Sequence, residues 1–395
     1  MAASNGQDLP FLIVGGGIGG LITAYALARQ GFPSRVFEQS AEFREVGAGI
    51  QLGPNIFRVL EKVGLKDELL IDAWQPGKLE MRDALTGDVV TTVPLGPAFQ
   101  ERFHNPYAVT HRADIHGVFL RACRNHKLVS LERDRRVADF KETDDDGAVL
   151  WLDDGNQVHG RALIGCDGLW SLVRGKMLGD GAPRVSGHIA YRAVLKREEV
   201  PDDLWQPDVI LWAGPRTHFV HYPLRRGTLY NLVAVFHSDR YVEGWNTRGD
   251  PAELWRRFGG QRPEVTRMLE RIETWRMWVL CDREPVKNWT HGRVTLLGDA
   301  AHPMLQYLAQ GACMATEDAV TLAEKVAASP DDIPGAFKAY RDSRYLRTGR
   351  VQLMARVYGE FYHASGVTAE LRNQALRNRT PEQAYDGMAW LYGGP

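Results

Sequence analysis

Cysteine is scarce in this chain: Cys123, Cys166, Cys281 and Cys313 stand far apart among 395 residues, with no C-x-x-C pair. That spacing argues against a disulfide framework or a thiolate metal site, so free thiols and no bound metal are expected. No stretch approaches the ~18 apolar residues that a membrane-spanning helix requires. The first apolar run, Phe11-Leu12-Ile13-Val14, is only strand-length and runs into glycines. Met1 to Pro10 is polar, without a basic stretch followed by an apolar core, and a cytoplasmic location is expected. An excess of charge is missing as well: 48 Lys and Arg face 49 Asp and Glu, a formal net charge of -1. Nothing there points to nucleic acid or an anionic membrane as partner, although a local positive pocket stays compatible with it. Internal repeats and low-complexity segments are absent. The length exceeds one typical domain, and two closely packed domains are expected.

What the chain does have is a β-α-β unit near its start. The apolar run at 11–14 fits a buried parallel strand. Gly15, Gly17 and Gly20 then fit G-x-G-x-x-G ahead of a helical apolar face formed by Leu21, Ala24, Tyr25, Leu27 and Ala28. Glycine at these positions permits a tight turn, close approach of a pyrophosphate and close helix–strand packing. Glu38 follows Gly20 by 18 residues, at the end of a second strand, where a carboxylate can accept from ribose hydroxyls. Arg44 leads into Gly47-Ala48-Gly49-Ile50-Gln51, which serves either as a flexible connector or as backbone that approaches a ring. Arg112 precedes a helix expected over 114–125; it reaches a phosphate or ring, or else is a surface arginine at the helix start.

Two carboxylates sit at predicted strand ends. Asp167 follows Arg161 to Gly165, and Asp299 follows Val294-Thr295-Leu296-Leu297. A carboxylate there faces a ligand crevice or caps the next helix. Residues 186–237 alternate in the manner of antiparallel strands, 251–275 and 316–328 of helices. On a strand, His218, Val220 and Tyr222 share one face, and Phe219 and His221 take the other. A His218/His221 metal pair is therefore not expected. A face bearing an imidazole and a phenol suits a small aromatic acid; the alternative is a hydrogen-bonded sheet histidine.

Together the glycine turn, Cys166-Asp167-Gly168 with Ser171 and Arg174, and Gly298-Asp299-Ala300-Ala301-His302-Pro303 resemble the single-component FAD-dependent aromatic hydroxylases. The resemblance covers roughly residues 10–350; Cys166 departs from it, where alanine is commoner. It implies an α/β fold: a Rossmann-like FAD-binding domain (1–75, 105–180 and 281–330) interleaved with a smaller, mainly antiparallel β-sheet substrate domain (76–104 and 181–280), plus C-terminal helices (331–395). It assigns non-covalent FAD to Gly15, Gly17, Gly20, Glu38, Arg44, Arg112, Asp167, Asp299, Gly311 and Ala312, with NADH as electron donor and a homodimeric assembly.

Gly214-Pro215-Arg216-Thr217-His218-Phe219, Tyr222-Pro223-Leu224-Arg225 and His302 to Ala309 further resemble the hydroxybenzoate-hydroxylating members. From these the resemblance places His218, Tyr222 and Gln306 around the substrate. The implied reaction is para-hydroxylation of 3-hydroxybenzoate to 2,5-dihydroxybenzoate by O2 through a flavin C4a-hydroperoxide. His218 is expected to remove the phenol proton, with an imidazole that titrates near the operating pH. Ortho attack on salicylate to give catechol, and a non-catalytic flavin- or redox-sensing role, are the alternatives. The aromatic tail Met388-Ala389-Trp390-Leu391-Tyr392 packs either over the body or against a second subunit.

Overall fold

The computed structural model describes residues 9–44, 47–143, 147–238 and 247–394. Phe11–Val14 is apolar at every position because both its faces are covered, and it lies inside a six-stranded sheet. Ala162–Gly165 and Ser34–Phe37 flank it in parallel. Val294–Leu296 and Val129–Glu132 extend the parallel set on either side, and Thr290–His291 adds an antiparallel edge. Strands from the beginning, middle and late chain thus meet in one sheet. The helices Ile18–Arg29 and Gly311–Ala328 pack against each other beside it.

The second sheet has eight strands, in the order Thr247–Arg248, Arg276–Asp282, Arg184–Lys196, Leu229–His237, Thr217–Leu224, Val209–Gly214, Lys78–Asp83 and Val89–Pro94. All its pairings are antiparallel except that of Val209–Gly214 with Lys78–Asp83. All eight residues of Thr217–Leu224 are buried, so the strand is covered on both faces. Phe219, Tyr230, Leu232 and Phe236 on one face pack with Leu254, Phe258, Val265 and Met268. The latter four come from two helices, Pro251–Phe258 and Pro263–Leu269.

Several expected bounds shift for local reasons. The helix expected across 251–275 is broken at Gly259-Gly260, and a proline at the first helical position restarts it. Within 76–104 the helix Pro97–Phe103 stands beside the two strands. The helix expected from 316 begins at Gly311, where small residues carry no apolar period. Three C-terminal helices follow, Ile333–Tyr362, Gly366–Arg377 and Pro381–Tyr392. The last sets the Tyr392 ring 6.1 Å from Phe99, 5.6 Å from Phe103 and 6.2 Å from Tyr107, so the aromatic tail packs over the body. Among the described residues no helix is long and apolar enough to cross a membrane.

Candidate active site

A cavity of about 1070 Å³ runs between the two sheets. Gly15, Gly17, Glu38, Arg112, Asp167, Asp299, Gly311 and Ala312 line it, as do His218, Tyr222 and Gln306. Eleven of the thirteen residues predicted from the sequence therefore meet in one crevice. The other two do not line it. Gly20 is buried beneath the turn, where a Cβ would fall 1.9 Å from the Gly15 carbonyl oxygen. Its role is the close packing of helix on strand. Arg44 is exposed to solvent and does not line the cavity, whereas Gly49, Ile50 and Gln51, at the end of the stretch it leads into, do.

At one end Gly15 has φ +105°, and a Cβ there would lie 2.4 Å from the Cys166 carbonyl oxygen. Only glycine lets the first strand turn this close to the middle segment. Gly17 caps the helix Ile18–Arg29 without any side chain on the cap. Its first-turn N–H groups therefore face the cavity with the positive end of the helix dipole behind them. Glu38 accepts from Gly16 N (2.9 Å) and Ser40 N (2.8 Å), which fixes its carboxylate at the cavity wall.

The middle and late motifs are tied to each other. Asp167 accepts from Ser171 Oγ (2.5 Å) and Val173 N (3.1 Å), so it braces the start of the helix Leu172–Leu178 as well as lining the crevice. Burial raises its carboxyl above the ordinary carboxylate range, against the pull of the Ser171 hydroxyl. Arg174, fully buried, donates to the carbonyl oxygens of Ala300 (3.1 Å) and Ala301 (2.6 Å). The arginine of the middle motif is thus a strut that holds the Gly298–Ala300 turn carrying Asp299.

The same turn is held from the other side. Asp318 Oδ2 accepts from Gly298 N (3.2 Å) and pairs with His302 Nε2 (2.5 Å). Arg344 donates to Asp318 and Glu317, both at 2.7 Å. Asn55 joins Glu317 (2.7 Å) to Gln310 (2.9 Å), which precedes Gly311. Burial opposes ionisation of Asp318, but His302 and Arg344 hold its pKa down to about 2. His302 therefore serves the buried ionic cluster. The cluster steadies a second helix start, Gly311–Ala328, which also lacks a side-chain cap and opens into the cavity.

The substrate end is built from Thr217–Leu224 and its neighbours. His218 and Tyr222 face the cavity, and Phe219 faces the outer core, as strand parity requires. Gly49 allows the approach of the cofactor domain: a Cβ there would meet the Tyr222 ring at 2.7 Å. Gln306 accepts from Arg192, a cavity residue on the strand Arg184–Lys196. Burial lowers the Arg192 guanidinium to about 10, so it is cationic at neutral pH. Sequence reading missed Arg192; its signal was a charged residue inside the otherwise apolar run Ile189 to Leu195.

One expectation is corrected here. Burial, with His188 nearby, lowers His218 to about 3, far from any operating pH. Its Nδ1 lies 2.7 Å from His363 Nε2, and His363 Nδ1 lies 3.0 Å from His237 Nε2.

The residues fit a bound dinucleotide: two uncapped helix starts and a turn that tolerates no side chain open onto one elongated cavity. The FAD binding domain family matches residues 8–347. The 3-hydroxybenzoate 6-hydroxylase of Polaromonas naphthalenivorans (strain CJ2) is 46% identical over 393 residues, covering 99% of this chain and 97% of that protein. The protein of the same name from Klebsiella oxytoca is 46% identical over 383 residues, covering 97% and 96%. Among solved structures, Klebsiella pneumoniae HpxO complexed with FAD and uric acid superposes with a TM-score of 0.86 at 26% identity, covering 97% of this chain and 96% of that one. A salicylate hydroxylase substrate complex gives 0.80 at 25% identity, covering 98% and 95%. The chain belongs to the FAD binding domain family and, within it, to the FAD-dependent aromatic monooxygenases.

Proposed function

We propose that this monooxygenase para-hydroxylates 3-hydroxybenzoate to 2,5-dihydroxybenzoate, with NADH as electron donor and O2 as oxidant. The observation that carries the reading is that His218, Tyr222, Gln306 and Arg192 line the same cavity as the two open helix starts. The two 3-hydroxybenzoate 6-hydroxylases that the chain resembles agree with it. Gly15, Gly17, Glu38, Arg112, Asp167 and Asp299 would hold FAD, with Gly311 and Ala312 at the second helix start. FAD, when bound, supplies electron transfer and oxygen activation.

The chain's own part is to bind, orient and activate the ring. Arg192 gives the cavity a fixed positive charge for a carboxylate, in a setting where hydrogen bonds to charged groups are strong. Tyr222 offers a phenolic donor, since burial raises its pKa and keeps the hydroxyl protonated. The Gln306 carbonyl is held by Arg192, which leaves its amide N–H groups to orient the substrate. His218 accepts the phenol proton, which raises electron density ortho and para to the oxygen. Burial of His218 and Tyr222, with Arg192 and Gln306 partly buried beside them, limits the access of water to the reacting carbon.

The test is product identification. Purified holoenzyme is incubated with NADH, O2 and each monohydroxybenzoate in turn. 2,5-Dihydroxybenzoate from 3-hydroxybenzoate, with NADH oxidation accelerated by that acid, is the expected result. Catechol from salicylate, with no product from 3-hydroxybenzoate, would establish ortho attack instead.

A further inference from the structure

We propose that His218, His363 and His237 form a directional proton relay that carries the substrate's phenol proton from the cavity to solvent. The proposal rests on the reading of His218 as the group that accepts that proton. Its evidence is the polarity of the chain. His218 presents Nδ1 to His363 Nε2 at 2.7 Å, and His363 presents Nδ1 to His237 Nε2 at 3.0 Å. In both links the ring nearer the cavity presents Nδ1 to the Nε2 of the next ring. His218 lines the cavity and is 4% exposed, His363 is buried, and His237 is half-buried at the outer end.

Two sets of neutral tautomers fit the geometry, with every proton on Nδ1 or every proton on Nε2; the relay starts from the first, with a lone pair on each Nε2. Phenol O–H then breaks as His218 Nε2–H forms. His218 Nδ1–H breaks as His363 Nε2–H forms, His363 Nδ1–H breaks as His237 Nε2–H forms, and His237 Nδ1 gives its proton to water. One proton leaves and no ring stays charged. The reverse passage, when the product phenolate is reprotonated, restores the starting tautomers.

A relay answers a difficulty that a single base would face. A phenol ordinarily titrates near 10, and burial holds His218 at about 3. His218 alone cannot keep the proton, so the proton must move on. The surroundings of His218 and His363 do not favour an imidazolium either. His188 packs against His237 with 4.2 Å between centroids and the rings tilted by 44°, and its Nδ1 bonds Tyr307 OH at 2.5 Å. Tyr362 lies 5.7 Å from His218. Arg216 acts against charge on both His237 and His363, and Arg257 against charge on His237; Glu360 alone favours it, at His237.

The backbone holds the chain in register. Arg216 N donates to His363 O (2.9 Å), and His237 N donates to Arg216 O (3.1 Å). The turn between Val209–Gly214 and Thr217–Leu224 therefore clasps the end of the long helix, where His363 sits, against the strand that bears His237.

The experiment is stopped-flow mixing of oxidised holoenzyme with 3-hydroxybenzoate in weakly buffered solution containing phenol red, which reads proton release directly. 3-Methoxybenzoate, with no phenol proton, serves as control. The wild type should release a proton in a fast phase with 3-hydroxybenzoate and none with the control. His363→Gln and His237→Gln keep a hydrogen-bonding side chain that cannot pass a proton. Each should slow release at least about 10-fold, with flavin content and affinity for 3-methoxybenzoate unchanged. Should His363→Gln lose its flavin, His237→Gln at the outer end carries the test. Release at the wild-type rate in both Gln variants, with release lost in His218→Ala, would overturn the relay and leave His218 as base. Normal release in His218→Ala would overturn the parent reading and the relay with it. Stoichiometric zinc in the active holoenzyme would also overturn the relay, because a metal on His237 and His363 occupies the nitrogens that must pass the proton.

Discussion

The backbone N–H of Gly49 donates to Asn231 Oδ1 at 2.7 Å, a buried bond between residues 182 apart in the chain. It fastens the strand Gly49–Leu52 to the substrate sheet beside Tyr222. Asn231→Leu keeps the volume and removes the acceptor, which leaves a buried N–H unpaired at a cost of about 1–3 kcal/mol. A lower melting temperature and a raised KM for the aromatic acid are expected, with flavin content retained. An unchanged KM in thermal and kinetic assays would show that the two domains do not depend on this bond.

Gly17→Val places a branched side chain at the helix start that lines the cavity. The flavin-to-protein absorbance ratio should collapse, and far-UV circular dichroism should persist. Stoichiometric flavin in this variant would remove the turn from the cofactor site.

His218→Ala leaves every nucleotide segment intact, so the protein should purify yellow. Product formation should fall by about 10²–10⁴-fold, the usual cost of losing a general base. NADH oxidation should fall less, and the difference should be recovered as hydrogen peroxide. Near-normal 2,5-dihydroxybenzoate per NADH would return His218 to a structural role in the sheet.

The cluster under the Gly298–Ala300 turn should set the acid limit of the fold. Asp318 is held at about 2, below the ordinary ~3.9 of an unfolded aspartate. Its contribution is therefore fully present above pH ~4 and disappears as pH falls through about 2. Asp318→Asn should flatten the stability profile between those values. Arg344→Met removes the cation that Glu317 and Asp318 share, leaving them Arg347 and His302, and should cost about 3 kcal/mol in denaturant titrations.

The β-α-β start, the two strand-end carboxylates and the shared face of His218 and Tyr222 were legible in the sequence, because each rests on local chemistry: glycine conformation, apolar runs and strand parity. Arg174 and His302 were legible only as motif members. That they act as struts, on Ala300 and on Asp318, depends on contacts over 126 and 16 residues that no periodicity encodes. The lowered pKa of His218 was illegible for the same reason, since it follows from tertiary burial and from His188, thirty residues upstream. Arg192 could have been found by asking what a charge does inside an apolar run.

The cofactor crevice draws on most of the length of the polypeptide, from Gly15 to Ala312, and the ring chain behind it takes its middle member, His363, from later still. A ribosome that adds roughly 5–20 residues per second needs roughly 15–60 s between the first glycine turn and the second helix start. During that interval the nascent chain has a pyrophosphate cradle and no partner segments for it. A complete flavin site is accordingly a late product of biosynthesis, formed only after the second helix start has been made.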